Sequence, residues 1–295
     1  MTGFRTKLAP YLLLSPFLAV FVVFMAYPLF RSGFLATERS FGPGYSESVG
    51  FENFRLLFAD PLFWKAARNT ALFTLGSVFL QLPLSLLLAL ILNKEGLRGR
   101  SLYRLVFFSP QLVGLVFSAM LASLIFEKQT GMVNRILNMM FGFSLDYPWM
   151  QKSIMLMLVI TAIWMYVGFN MVYFLAALQN VNKSVVEAAR IDGANPLQQF
   201  WHVTIPAIRP VGTFVVLLSI IGSVQLFELP FVIFGQGAFG GGGPDNGALT
   251  LVMYLYQQAF QAGDLGYASA IGWVIAFVLV LFGLAQMVIN REDPA

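Results

Sequence analysis

The sequence predicts an all-α polytopic membrane protein with about six transmembrane helices. Three observations predict it. Of 295 residues, 58% are hydrophobic and only 11% charged, too little polar surface to clothe a soluble domain of this size. The mean hydropathy is +0.75. The apolar residues are also gathered into runs near the roughly 20 residues that a helix needs to cross a bilayer core of about 30 Å. The runs show no alternation of period two, so barrel strands are disfavoured. In lipid every backbone amide must be paired internally, which leaves the helix as the form for such a run.

Six segments meet this test: Leu8–Phe30, Thr70–Leu92, Leu105–Phe126, Ser153–Leu178, Ala207–Phe234 and Gly266–Asn290. Arg5 and Lys7 precede the first, which could be mistaken for a signal peptide. Its uncharged run is longer than a signal core and ends at Arg31 without a small-residue cleavage pattern, so it reads as a retained span. Pro16, Pro28, Pro83, Pro110 and Pro230 fall inside spans. Each removes an amide donor and is expected to bend its helix. Neighbouring helices and polar side chains can satisfy the freed carbonyls.

Three inter-span segments stand out within the single domain, 1–295. Residues 31–69 form the first loop. Within it Phe54, Leu57, Phe58, Phe63 and Trp64 sit among charges, which suits a helix at the membrane interface, broken in two by Asp60-Pro61. Residues 179–206 form the loop after span four. Residues 235–265 form the last loop, where Gly240 to Asp245 reads as a flexible turn-rich stretch.

Six spans place both termini on one side. The short loop Asn93 to Arg100 carries Lys94, Arg98 and Arg100, a basic cluster typical of the cytoplasmic face, while 235–265 has no Lys or Arg. The first loop carries bases and acids alike and is long enough to soften the rule. The balance puts both termini in the cytoplasm. The net charge of +4 and pI near 9.4 fit basic residues retained in cytoplasmic loops, not nucleic-acid binding. The chain has no cysteine and one histidine, His202. Disulfides, thiolate sites and multi-histidine metal centres are excluded.

The loop between spans four and five carries the most information. Ser184 and Glu187 have capping-box spacing, so a short helix is expected to start at Ser184. Gly193 is placed to end it. Asn195-Pro196 supplies an N-cap followed by proline at the first helical position, so a second helix starts there. Pro206 is expected to close the loop. The product is a helix–Gly–helix hairpin whose small apolar surface suits docking into a partner's groove.

Glu187-Ala188-Ala189, Gly193 and Val203-Thr204-Ile205-Pro206 resemble the EAA signature, E-A-A-x3-G-x9-I-x-L-P, of the permease subunits of binding-protein-dependent ABC importers. Val203 and Ile205 replace its Ile and Leu. Gly50-Phe51-Glu52-Asn53-Phe54 with Asn69-Thr70, Phe227 to Phe231, Gly242-Gly243-Pro244 and Gly266 to Ala270 are similar to the sugar branch. Within that branch they favour the maltose/glycerol-phosphate-type subunit with the Gly-Gly-Pro loop. Gly235 stands where that branch often has Thr, and Ala238 to Gly241 lengthen the loop. The resemblance covers most of the chain.

The resemblance implies a type I ABC importer permease fold in a bacterial or archaeal cytoplasmic (inner) membrane. It implies a sister permease subunit, two ATP-binding cassette ATPases that dock the hairpins, and an external solute-binding protein. It implies ATPase coupling through Glu187, Ala188, Ala189, Asp192, Gly193 and Pro206. The chain itself has no G-x-x-x-x-G-K-[ST], so it cannot cradle ATP by that route; no cofactor is expected in this chain, and ATP is expected on the partner ATPases. The expected cargo is a sugar, oligosaccharide or polyol derivative.

Six residues are candidates for its pathway. Tyr166, Asn170 and Tyr173 share one face of span four at i, i+4, i+7 spacing. Glu228 is an intramembrane carboxylate, a functional candidate by position. Gln225 and Gln111 are polar groups within spans. Each could equally be polar glue between helices. The alternative classes are a secondary transporter, which would carry ionisable groups near the midplane, and a membrane enzyme. For the enzyme the sequence offers no His, Cys or carboxylate cluster.

Overall fold

In a computed structural model, residues 2–40, 46–94, 96–142, 146–235 and 241–291 are described. The chain runs through α1 (Thr2–Phe21), a π turn (Val22–Ala26), α2 (Tyr27–Leu35), a hairpin of β1 (Glu38–Ser40) and β2 (Ser46–Ser48), α3 (Glu52–Ala59) and α4 (Pro61–Asn93). It continues through α5 (Arg100–Val113), α6 (Leu115–Ile125), α7 (Met132–Phe141), α8 (Trp149–Lys152), α9 (Ile154–Gln179), α10 (Lys183–Ile191) and α11 (Pro196–Gln199). A π turn (Phe200–Thr204) leads to α12 (Ile205–Val224), α13 (Glu228–Phe234), α14 (Leu251–Tyr256) and α15 (Leu265–Arg291).

Among the described residues, five helical stretches are long and apolar enough to cross a membrane, or six if the bent pair α5–α6 counts as one. Spans two, four and six agree with α4, α9 and α15. Span one continues through the π turn to Leu35. The helix of the first inter-span loop is broken as expected, with Asp60 in an extended conformation. Pro61 does not begin a second interfacial piece. It starts the 33-residue α4, which carries the chain straight into span two, because proline costs nothing at a first helical position.

Three expectations need correction. Span three is not one straight helix: α5 and α6 meet at 98°. The bend lies at Gly114, with φ 84° and ψ 155°, a backbone state open to glycine and strained for any other residue. Pro110 lies within α5 without breaking it, and Pro83 within α4 likewise. Span five is interrupted over Gln225–Phe227, between α12 and α13. The last loop is not simply flexible. Ala248, Leu249, Thr250, Leu251, Met253 and Tyr254 are buried, and α14 is part of that packing. Residues 236–240, which hold most of the expected insertion, lie outside the described residues, as does Glu95 of the basic loop.

The chain divides into two compact units. The first comprises Met1–Pro61 and Leu255–Ala276. Its β-hairpin, which alternation did not reveal, pairs Glu38 with Ser48 and Ser40 with Ser46. Asn53 is buried and donates to the carbonyls of Ala36 (3.0 Å) and Glu38 (2.9 Å). A side chain at Gly266 would collide with the Glu38 carbonyl. Tyr267 donates to Asp60 at 2.8 Å.

The second unit comprises Leu62–Tyr254 and Phe277–Ala295. One core gathers Phe73, Ala119, Ala122, Met157, Leu158, Leu229 and Phe234. Another gathers Leu82, Met171, Phe174, Leu175, Ile208 and Val215. Small residues let helices close: a Cβ at Gly168 of α9 would collide with the Phe107 carbonyl of α5. Polar side chains link helices within this unit. Ser85 donates to the Val167 carbonyl at 2.9 Å, and the Ser77 and Ser223 hydroxyls lie 2.9 Å apart. Asn69 donates to the carbonyls of Asn246 (2.8 Å) and Leu249 (2.9 Å), and Thr70 accepts from the Leu251 amide at 3.0 Å. The Asn69-Thr70 pair is therefore the anchor of the Gly-Gly-Pro segment. Between α6 and α7, the amides of Thr130 and Gln129 and the Thr130 hydroxyl donate to Glu127, which holds its carboxyl below the usual range.

Candidate functional site

The hairpin of α10 and α11 forms, with one shift. Its N-cap is Asn182, not Ser184. The Asn182 oxygen accepts from the Ser184 amide (3.0 Å) and hydroxyl (2.8 Å). No Ser184–Glu187 capping box closes, because Asn182 already satisfies the first free donor. Glu187 is thereby released from a capping role and lies exposed on α10.

At the other end the backbone closes a Schellman turn. The Ala194 amide donates to the Ala189 carbonyl at 3.0 Å and the Gly193 amide to the Arg190 carbonyl at 3.2 Å. Gly193 takes φ +85°, which explains glycine at this position. The capping box appears in the second helix: the Asn195 amide donates to Gln198 at 2.8 Å and the Gln198 amide to Asn195 at 2.9 Å. Gln199 adds a bond to the Ala194 carbonyl at 2.7 Å. These bonds fix the turn geometry at Asp192–Asn195. His202 Nδ1 lies 3.0 Å from the Gln198 carbonyl, so its ring serves the hairpin's backbone.

Pro206 does not end the loop. The helical run is continuous from Pro196 through the π turn to Val224, and Pro206 sits at the start of α12. The wide π turn Phe200–Thr204 makes room for a residue with no amide to give and a ring that crowds the carbonyl four residues earlier.

No side chain of α10 or α11 is buried. Ala188 and Asp192 are exposed and Ala189 half-buried. Ile191 is 86% exposed, Leu197 66% and Trp201 57%. The hairpin is braced by its own caps and leaves Val185 as well as Ile191, Leu197 and Trp201 exposed. Leu197 and Trp201 escaped the sequence reading.

The second feature is a partly open cavity in the second unit. Phe73, Ser77, Gln81, Ala162, Tyr166, Phe169, Asn170, Leu218, Ser219, Gly222, Ser223 and Leu226 line it. Asn170 is buried, with Nδ2 3.5 Å from the Ser219 hydroxyl. Of the six pathway candidates, Tyr166 and Asn170 reach this cavity. Tyr173 does not: its ring stacks edge-on against Phe169 and Phe214, with centroids 5.2 and 6.0 Å away. Gln225 and Glu228 are exposed on either side of the break between α12 and α13. Gln111 is half-buried on α5, with its Oε1 unbonded. Ser77, Gln81, Ser219 and Ser223 supply polar lining that sequence spacing did not single out, because they come from α4 and α12 and converge only in three dimensions.

Among the described residues there is no cluster of His, Asp and Glu able to hold a metal. A bundle of apolar helices, a cavity with aromatic and hydroxyl walls and one exposed hairpin define a membrane transport component. The chain belongs to the family of binding-protein-dependent transport system inner membrane components, whose model matches residues 81–291. It is a multi-pass permease, and not an enzyme.

The chain is 36% identical over 282 residues to the arabinooligosaccharides transport system permease protein AraP of Halalkalibacterium halodurans, covering 95% of this chain and 87% of that one. It is 34% identical over 289 residues to the lactose transport system permease protein LacF of Rhizobium radiobacter, covering 96% and 94%. Its fold matches a chain of a bacterial ABC transporter involved in the import of the acidic polysaccharide alginate. The TM-score is 0.83 at 23% identity, over 99% of this chain and 98% of that one.

Proposed function

We propose that this chain is one of two permease subunits that together enclose the carbohydrate pathway of an ATP-driven importer. The observation that carries this reading is the self-capped, exposed hairpin with Gly193 at its turn. Two cytoplasmic ATPases would each receive one such hairpin, one from this chain and one from its sister permease. An external solute-binding protein would deliver the cargo. Closure of the ATPases would move α10, and α10 would move α9 and α12, to which it is joined through Asn182 and the continuous run from Pro196. Glu187, Ala188, Ala189, Asp192 and Gly193 are assigned to that contact.

The names of the relatives support a sugar or oligosaccharide as cargo. The cavity supports it too, since Tyr166 and Phe169 offer ring faces while Asn170 and the serines offer hydrogen bonds to hydroxyls. Glu228, Gln225 and Gln111 are assigned to the surface that the sister subunit completes. The basic loop at Lys94–Arg100 and the hairpin both lie on the cytoplasmic side, as do the two termini, while residues 31–69 and 235–265 face outward.

The test is co-purification with the candidate sister permease and ATPase from detergent. The wild type is expected to retain the ATPase, and Glu187→Lys to lose it or to lose ATP-driven uptake. A wild-type chain that carries sugar down an ion gradient with no ATPase overturns the reading.

A further inference from the structure

One face of α4 carries a polar stripe. Thr70, Thr74, Ser77, Gln81 and Ser85 follow one another at steps of three or four residues, which keeps them on one side of the helix. Most of these side chains are engaged by neighbours. Thr70 accepts from the Leu251 amide at 3.0 Å, Ser77 lies 2.9 Å from the Ser223 hydroxyl, and Ser85 donates to the Val167 carbonyl at 2.9 Å. The Thr74 hydroxyl is buried without a partner, but Thr74 does not line the cavity between α4, α9 and α12. Gln81 differs from all of them. It is only 5% exposed, it lines that cavity, and its carboxamide has no hydrogen-bond partner among the described residues. Buried amides are normally paired, so one held at a cavity wall marks a place for a partner from outside the chain. Water serves until a ligand that reproduces its bonds displaces it.

The rest of the wall says what kind of ligand. Asn170 brings a second buried carboxamide from α9, whose contact with Ser219 is long at 3.5 Å. Tyr166 and Phe169 add ring faces. Gly222 of α12 also lines the cavity, and a Cβ there would meet no atom within 4 Å, so this stretch of wall is left open and not filled by packing. A carboxamide offers a donor and an acceptor side by side, which matches two adjacent hydroxyls of a sugar. No lysine, arginine or carboxylate lines the cavity. The first charged residue after the lining residue Leu226 is Glu228, two positions on, and it is negative. A carboxylate or phosphate on a ligand would lose water here without meeting a cation, which costs far more than burying a hydroxyl that finds a partner.

We infer that this cavity selects a neutral sugar ring, that Gln81 pairs with two adjacent hydroxyls of that ring, and that acidic saccharides such as uronates and sugar phosphates are excluded. The inference rests on the reading of the cavity as part of a carbohydrate pathway, and narrows the cargo to uncharged carbohydrate.

The experiment is saccharide binding by the purified permease–ATPase complex without its binding protein, read by saturation-transfer NMR in the nucleotide-free and ATP-bound states. The neutral probes are lactose and arabinotriose; the acidic probes are digalacturonate and glucose 6-phosphate. The wild type is expected to bind at least one neutral probe with about tenfold or greater preference over either acidic one. Gln81→Leu should weaken neutral binding about tenfold, from the loss of two hydrogen bonds. It should leave the unfolding temperature unchanged or slightly raised, because it removes an unpaired amide. Ser85→Ala is the contrast. Its hydroxyl ties α4 to α9, so its loss should lower the unfolding temperature and leave sugar binding in place.

The comparison of probes on the wild type stands whether or not the Gln81 variant assembles. Acidic binding equal to neutral binding, or neutral binding unchanged in Gln81→Leu, overturns the inference. So does the absence of binding by every probe. ATPase retention and ATP-driven uptake by the same preparation read the importer assignment separately, so a cavity that rejects sugar in a working importer counts against this site alone.

Discussion

At the scale of single residues, the hairpin depends on a backbone state more than on a contact. Gly193 sits at φ +85° with open space where a Cβ would stand. A side chain there would meet no neighbour, so the cost of replacement is conformational. A β-branched residue in this left-handed region costs upward of about 1–2 kcal/mol, and asparagine less. Gly193→Val is therefore expected to splay α10 from α11 and reduce ATPase retention in the solubilised complex. Gly193→Asn should retain most of it. Equal retention by both variants would show that the turn's geometry does not matter. Gly193, Asn195 and Pro196 were legible in sequence because their roles are local: a turn that favours glycine and a cap followed by proline. Asn182 was not, since Ser184 is also a good N-cap and its spacing to Glu187 mimics a capping box. Only the bonds to the Ser184 amide and hydroxyl select between them.

At the scale of elements, the sequence showed how much chain crosses the membrane but not where it bends. Pro110 is the obvious candidate for a kink in the third span, yet α5 runs on to Val113 and turns at Gly114. Proline removes one donor from a ladder; a glycine at φ 84° and ψ 155° leaves the helix altogether. Packing between elements was likewise hidden. Gly168 reads as an ordinary span glycine, but it allows the α9 backbone to lie against the Phe107 carbonyl. Gly168→Leu cannot be absorbed by a flexible neighbour, because the obstacle is backbone. It is expected to destabilise the α5–α9 pair by about 1–3 kcal/mol or more. Thermal unfolding of the detergent-solubilised chain checks this, with Gly222→Leu, where no atom lies within 4 Å of the added Cβ, as the control. Equal shifts in the two variants would exclude a specific contact.

For the whole molecule, orientation is the open property that charge counting addresses. The absence of cysteine makes the chain suited to mapping it. Single cysteines at Ser184 and at Asp245 are expected to react oppositely with a membrane-impermeant maleimide in intact cells. Asp245→Cys should label and Ser184→Cys should label only after permeabilisation. The reverse pattern would invert the assigned topology and move the hairpin out of reach of an ATPase.

The sequence alone determined the class of fold, the apolar segments that can span a membrane, the hairpin and the family resemblance. Each of these is written in runs of about 20 apolar residues or in turn chemistry within a few positions, where local physics is sufficient. The tertiary structure alone decided which polar residues share a cavity. Tyr166 and Asn170 meet Ser77 and Ser223 there, while Tyr173, on the same stretch of α9, is taken up by Phe169 and Phe214. It also decided that Asn69 and Thr70 anchor a segment some 180 positions away. Helical periodicity can say which residues share a face, but lipid, a cavity and another helix are all compatible neighbours for that face. Which of them it meets is set by the packing of helices distant in sequence.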